Sequence, residues 1–323
     1  MLAQVEGPPI WLVAGPTASG KSRLAMDLAA AIDGEIVNAD SMQVYADLEI
    51  LTARPGPEAM GARPHHLYGV ADAAEAWSVG RWLAEARRAL ADIAARDRPA
   101  VVVGGTGLYL RALTEGLADI SAIPANIREE ALARLKALGE PAFRAELAEV
   151  DPMAADRIER GDALRLTRAM EVWLATGRSL SDWRKDSPPA LTRNSWRAVV
   201  VELPRAELYG RCDLRLAGMV RNGALDEVGR LIKRDLPPTS PVLKALGVAP
   251  LAAHLKGETS LENALAQAQT ETRRYAKRQL TWLRNQTPDW PRVAPGPDGV
   301  APLSLPSVLT LDRLLGGGFK SAQ

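Results

Sequence analysis

Apolar residues in this chain follow two rhythms: short unbroken runs, and longer stretches in which they recur every three or four positions. The run "IWLVAG", residues 10–15, leads through a loop into "KSRLAMDLAAAI", which has helical spacing. That order predicts strand, loop, helix. "GEIVNAD" and "RPAVVVGG" are further runs closed by polar or glycine residues, and "SVGRWLAEARRALADIAARD" between them is a strongly amphipathic helix. Strands alternating with helices predict a parallel sheet with helices on both faces. Ligands of such sheets gather at the carboxyl ends of the strands, where Gly15, Asp40 and Gly104 fall.

From about residue 122 to 185 strand signals vanish, and "IREEALARLKALGEPAFRAELAEV" and "DALRLTRAMEVWLATG" read as helices with glycine stops. "WRAVVVELP", residues 196–204, restores a strand, and "AELYGRCDLRLAGMVRNGALDEVGRLIKR" is helical again. The expected organisation is a discontinuous core of residues 1–121 and 196–290, an inserted helical domain of residues 122–195, and a Pro/Gly-rich tail of residues 291–323 read as irregular. The expected fold class is α/β, a P-loop NTPase-like parallel sheet flanked by helices, with an inserted all-helical domain.

The loop after the first strand sharpens this picture. "GPTASGKS", Gly15 to Ser22, has the spacing of a phosphate-binding loop. Its glycines let backbone N–H groups turn onto phosphate oxygens, the following helix points its N-terminus at the anion, and Lys21 adds a charge. Ser22 is placed to reach a magnesium ion. Nucleoside triphosphatases add a second strand ending in an aspartate, yet "AVVVGGTGLY" ends in Gly104 and Gly105. Asp40 therefore stands open to three roles: metal ligand, general base, or cap for "DSMQVY". Thr106 either caps a helix or offers a hydroxyl to a substrate.

Charge narrows the partners. A formal net charge of +1 over 323 residues gives no global basic field, so any polyanion must be held by a local patch. In "TRRYAKRQLTWLR", helical spacing puts Arg273, Lys277 and Arg284 in one arc with Arg274 and Arg278 beside it, opposite Ala276, Leu280, Trp282 and Leu283. One cysteine, Cys212, excludes an internal disulfide and is read as a packed helix residue. His65 and His66 are adjacent without a carboxylate or thiolate cluster, so no metal is expected on them. No long apolar run occurs, and a soluble, cytoplasmic protein is expected.

In order, "GPTASGKS", "DSMQVY", "TARP" with "HHL", "GGTGLY", "RLTRAMEV" and "TRRYAKRQLTWLRNQ" resemble the tRNA dimethylallyltransferase (isopentenyltransferase) family over residues 11–286. The resemblance implies transfer of a dimethylallyl group from its diphosphate to N6 of the adenosine 3′ to the anticodon of tRNA. The loop Gly15, Pro16, Thr17, Ala18, Ser19, Gly20, Lys21 and Ser22 would then hold the leaving diphosphate with Mg2+, and no phosphoryl group would move. Asp40 takes the place of the general base, while Thr17, Thr106 and Arg215 match positions at the diphosphate or the reacting centre. Asp40, Ser41, Met42, Gln43 and Thr106 match the segments that meet the target nucleotide. Arg128, Leu164, Arg165, Leu166, Thr167 and Arg168, with Arg274, Lys277 and Arg278, match tRNA-contacting positions. A monomer acting on tRNA and dimethylallyl diphosphate, with no membrane partner, is implied. The chain departs from the family pattern at Leu51, Arg54, Gly161 and Val248. The loop alone also suits a small-molecule kinase or an adenylate isopentenyltransferase, but neither needs the inserted helices or the basic helix; a non-catalytic nucleic-acid-binding module would not need Lys21, Ser22, Asp40 and Thr106 together.

Overall fold

The structure is a computed structural model and describes residues 8–295. In chain order it contains β1 (Ile10–Ala14), α1 (Lys21–Ala31), β2 (Glu35–Asn38), α2 (Pro57–Ala62), β3 (His65–His66), α3 (Val79–Ala95), β4 (Ala100–Gly104) and α4 (Gly107–Glu115). The helices α5 (Ala125–Val150), α6 (Pro152–Arg157), α7 (Ala163–Thr176) and α8 (Leu180–Lys185) follow. Then come β5 (Trp196–Val201), α9 (Arg205–Met219), α10 (Leu225–Ile232), α11 (Val248–Leu255), α12 (Leu261–Gln286) and β6 (Arg292–Val293).

The six strands form one parallel sheet in the order β3-β2-β4-β1-β5-β6. Val13 is in register with both Val103 and Val199, so the expected runs do lie side by side. Trp11, Val13, Val101, Val103, Val199 and Val201 pack with Leu24, Ala25 and Leu28 of α1. The alternate residues Leu12, Val37, Val102 and Val200 are equally buried, and side chains two apart share a face, so both faces of the sheet are covered.

Two strands are not visible in the hydrophobic pattern. β3 is the pair His65–His66, and Glu35 explains its position: His66 Nε2 lies 2.7 Å from that carboxylate and Arg96 Nη2 2.8 Å from it. Burial pushes Glu35 up, but the hydrogen bonds from Arg96 and His66 outweigh it and hold its carboxyl below the ordinary range. β6 falls in the segment expected to be an irregular tail; Val200 N donates to Pro291 O and Glu202 N to Val293 O, extending the sheet by two residues. The tail beyond residue 295 lies outside the described residues.

The described residues divide into two compact units. One comprises residues 8–110 and 191–295 and carries the sheet; the other is Arg111–Ala190, wider at its start than the insertion of residues 122–195 expected from sequence. The second unit has its own core, with Phe143, Leu147, Leu166, Ala169 and Val172 buried together. α5 breaks at Gly139, ahead of Pro141. The expected helix over residues 206–234 is likewise interrupted, at Val220–Ala224, where Asn222 and Gly223 leave helical geometry.

Candidate active site

Three loops converge at the carboxyl edge of the sheet. The first, between β1 and α1, needs Gly20 in the left-handed region (φ 91°), a conformation a side chain would strain. Ala18 adopts it too (φ 62°), which turns successive N–H groups inward. Ser19 is fully buried and its Oγ has no partner among the described residues. Lys21 Nζ donates to Pro16 O at 3.3 Å. Burial pushes the Lys21 ammonium down to about 8; Asp40 opposes the shift and Arg215 adds to it.

The second loop carries Asp40. Asn38, at the end of β2, accepts from Asp40 N at 2.8 Å and donates to Asp40 O and Leu67 O, while its own carbonyl accepts from Trp82 Nε1. This amide locks the turn that presents the aspartate. Asp40 Oδ1 accepts from Met42 N at 2.9 Å, closing a turn that no helix follows, and Oδ2 has no hydrogen-bond partner among the described residues. The third loop follows β4, where Thr106 Oγ1 accepts from Ser41 N at 3.0 Å and ties the second and third loops together.

Helices α9 and α12 close the site. Arg215 of α9 donates to Thr17 Oγ1, and burial lowers its guanidinium. Gln279 of α12 is buried and spans two loops, accepting from Thr17 N and donating to Gly105 O, each at 2.8 Å. A side chain at position 105 would collide with this amide, so the glycine is required by the close approach. Tyr275 is pushed up by burial and by the charge of Asp40.

Of these groups Thr17, Asp40, Arg215 and Tyr275 line one cleft of about 220 Å³, whereas Ser19, Lys21, Thr106 and Gln279 are not among its lining residues. Thr17, Asp40, Ser41, Arg215, Lys244 and Arg278 supply polar atoms, and Met42, Leu51, Leu216, Met219 and Leu246 form an apolar wall. Gln43 does not line it: its amide donates to Thr52 O and Ala53 O and pins the segment behind. That segment is held from the other side by buried Glu227, which accepts from the N–H groups of Glu49, Ile50 and Leu51.

The basic face of α12 is smaller than the helical wheel suggests. Arg273 forms a forked pair with Asp213 and Arg284 pairs with Glu202, carboxylates supplied by other elements and invisible on the helix itself. Arg274, Lys277 and Arg278 stay exposed without an ion pair among the described residues. In the helical unit Leu164 is 82% exposed, whereas Leu166 and Thr167 are buried, Thr167 Oγ1 donating to Ala163 O and Leu164 O. Arg165 pairs with Asp162, and Arg128 and Arg168 both approach Glu171.

Gln279, Tyr275, Lys244, Thr52 and Glu227 do not stand out in the sequence. Gln279 and Thr272 carry a usable signal: both are polar residues at helical spacing on the apolar arc of Ala268, Ala276 and Leu283. Lys244 and Glu227 lie in segments whose pattern says nothing about where they turn.

A family model described as IPP transferase matches residues 43–286, and one described as isopentenyl transferase matches residues 8–66. The chain belongs to the IPP transferase family. It is 60% identical over 286 residues, 88% of this chain and 92% of the relative, to the tRNA dimethylallyltransferase of Phenylobacterium zucineum, and 48% identical to that of Hyphomonas neptunium over 90% and 92% of the two chains. A solved tRNA isopentenylpyrophosphate transferase from Bacillus halodurans superposes with a TM-score of 0.66 at 30% identity, covering 95% of this chain and 96% of that one. A eukaryotic dimethylallyltransferase acting on tRNA gives 0.76 at 27% identity over 89% and 74%. As a member of this family the protein is an enzyme, a prenyltransferase that modifies tRNA. At the positions expected from the resemblance to depart from the family pattern, Arg54 pairs with Glu49 and reaches Tyr45 O, Gly161 sits at φ 85° with open space around it, and Val248 is packed at the start of α11. Among the described residues no helix is long and apolar enough to cross a membrane.

Proposed function

We propose that the enzyme transfers the dimethylallyl group of dimethylallyl diphosphate to N6 of the adenosine 3′ to the anticodon. The observation that carries this reading is the single cleft in which the free oxygen of Asp40, the cations around Thr17 and an apolar wall come together. The adenine amino group has a delocalised lone pair and is a poor nucleophile. As the nitrogen pair forms the bond to the allylic carbon, the carbon–oxygen bond breaks with its electrons going to the diphosphate, and the amino proton passes to Asp40 Oδ2. Lys21, Arg215 and the loop N–H groups face the charge that grows on the departing oxygens. Met42, Leu51, Leu216 and Met219 suit the hydrocarbon chain and keep water from it.

The donor set fits Mg2+ carried by the diphosphate. Ser22 Oγ is exposed without a partner among the described residues, and the buried, unpartnered Ser19 Oγ is the kind of orphan a bound oxyanion satisfies. The ion would supply charge neutralisation on the leaving group. The experiment is mass spectrometry of tRNA nucleosides after incubation with dimethylallyl diphosphate. The expected product is N6-dimethylallyladenosine formed without ATP; an absolute need for ATP, or product on free adenine nucleotides instead of tRNA, overturns the reading.

A further inference from the structure

The helical unit Arg111–Ala190 contains a cavity of about 400 Å³ that none of the chemistry above uses. Arg157, Arg165, Arg168, Arg184 and Lys185 line it, with Met153, Ile158 and Leu180 beneath them. The carboxylates nearby are already engaged: Asp162 with Arg165, Glu171 with Arg168, Asp182 with Lys185, and Asp151 with the N–H groups of Ala154 and Ser181. The Arg157 and Arg184 side chains have neither an ion pair nor a hydrogen bond among the described residues. Burial lowers the Arg184 guanidinium, and Arg111, Arg165 and Arg157 lower it further while Asp151 alone opposes them. Arg165, Arg168 and Lys185 are thus offset by their own carboxylates, and the uncompensated charge at the hollow is that of Arg157 and Arg184, two exposed guanidinium groups whose forked donors suit a phosphate. The volume exceeds what one phosphate needs, and the apolar floor suits the sugar or base attached to it.

We propose that this cavity seats one nucleotide of the RNA substrate, its phosphate held by Arg157 and Arg184 and its apolar face resting on Met153, Ile158 and Leu180. The proposal rests on the reading that the enzyme acts on tRNA. It assigns an RNA contact to two arginines that no motif marked, and it explains why Arg165 and Arg168, one turn apart on α7, turn to the same hollow.

The test is tRNA binding by the full chain over a salt titration, comparing the parent with Arg157→Gln plus Arg184→Gln. Removing the fork is expected to weaken binding about tenfold and to flatten the log-log salt slope by about one unit. The single-turnover rate at saturating tRNA and the KM for dimethylallyl diphosphate should stay at the parental values. Arg157→Lys plus Arg184→Lys, which keeps charge and fold but not the fork, should lose affinity while retaining most of the slope. Unchanged affinity and slope in the glutamine variant overturn the proposal. So does calorimetric binding of adenosine monophosphate or inorganic phosphate that is lost in the variant while tRNA binding is kept, since the cavity then serves a free anion. A fall in melting temperature shared by both variants assigns the arginines to stability and also overturns it. Failure of the parent to modify tRNA is a different result and counts against the function itself.

Discussion

Asp40 gives Oδ1 to the N–H of Met42 and keeps Oδ2 free of partners among the described residues, so asparagine at this position can retain the turn while losing the proton acceptor. Asn caps about as well as Asp. Asp40→Asn should therefore keep its melting temperature and tRNA affinity while the single-turnover rate falls by about 10² to 10⁴. A magnesium titration separates this from a metal-ligand role: full rescue by excess magnesium would show that Asp40 acts through the ion. Lys21 makes a second prediction through its titration. Its ammonium is held down to about 8, so it is charged below that pH and neutral above it in the ligand-free enzyme. The KM for dimethylallyl diphosphate should rise as pH passes about 8, and Lys21→Ala should start from a higher KM and lose that inflection. An inflection that persists in the variant would assign the titration to another group.

At the scale of elements, α12 does two jobs on two faces. Its buried face places Gln279 between the phosphate loop and the turn after β4, joining Thr17 N to Gly105 O. Gln279→Ala leaves Gly105 O buried and unpaired and frees Thr17 N in a half-buried loop, a loss of about 1–3 kcal/mol, to be read as a lower melting temperature with a raised KM for the diphosphate. A drop in stability with unchanged KM would make the residue a core staple only. On the exposed face, Arg274→Ala with Lys277→Ala should weaken tRNA binding and reduce its salt slope by about one unit for each phosphate that is no longer neutralised, leaving the KM for dimethylallyl diphosphate alone. The sequence makes this helix legible because periodicity reports which side is apolar. It cannot tell that Arg273 and Arg284 are neutralised, because Asp213 and Glu202 reach them only in three dimensions. The same limit hides β3 and β6. Two-residue strands at the sheet's edges have no run of apolar residues to betray them, and they form because a neighbouring strand offers free backbone groups.

For the whole molecule, a formal net charge of +1 means that affinity for a polyanion is built from separate patches instead of a general field. The Arg157 and Arg184 pair and the Arg274 and Lys277 pair lie in different compact units and share no partner among the described residues, so their effects should add. A variant carrying all four changes should show a salt slope reduced by the sum of the two; a shortfall would mean that the patches exchange for the same stretch of RNA. The four long strands and both helical regions can be read from the chain because each carries its own local pattern, and the phosphate loop because its glycines are dictated by backbone geometry. Lys244 and Glu227 cannot be read, since each is defined by a distant segment that it meets. The path of the chain through the sheet has one more consequence. β1 lies between β4 and β5, yet β5 is translated only after the whole of Arg111–Ala190. On the ribosome, the central strand must wait with one flank bare while the helical unit, which owns a core of its own, is free to consolidate. A nascent chain stalled before Trp196 would present that bare flank to its neighbours, which makes the interval between the two halves of the core the time at which chaperone protection matters most.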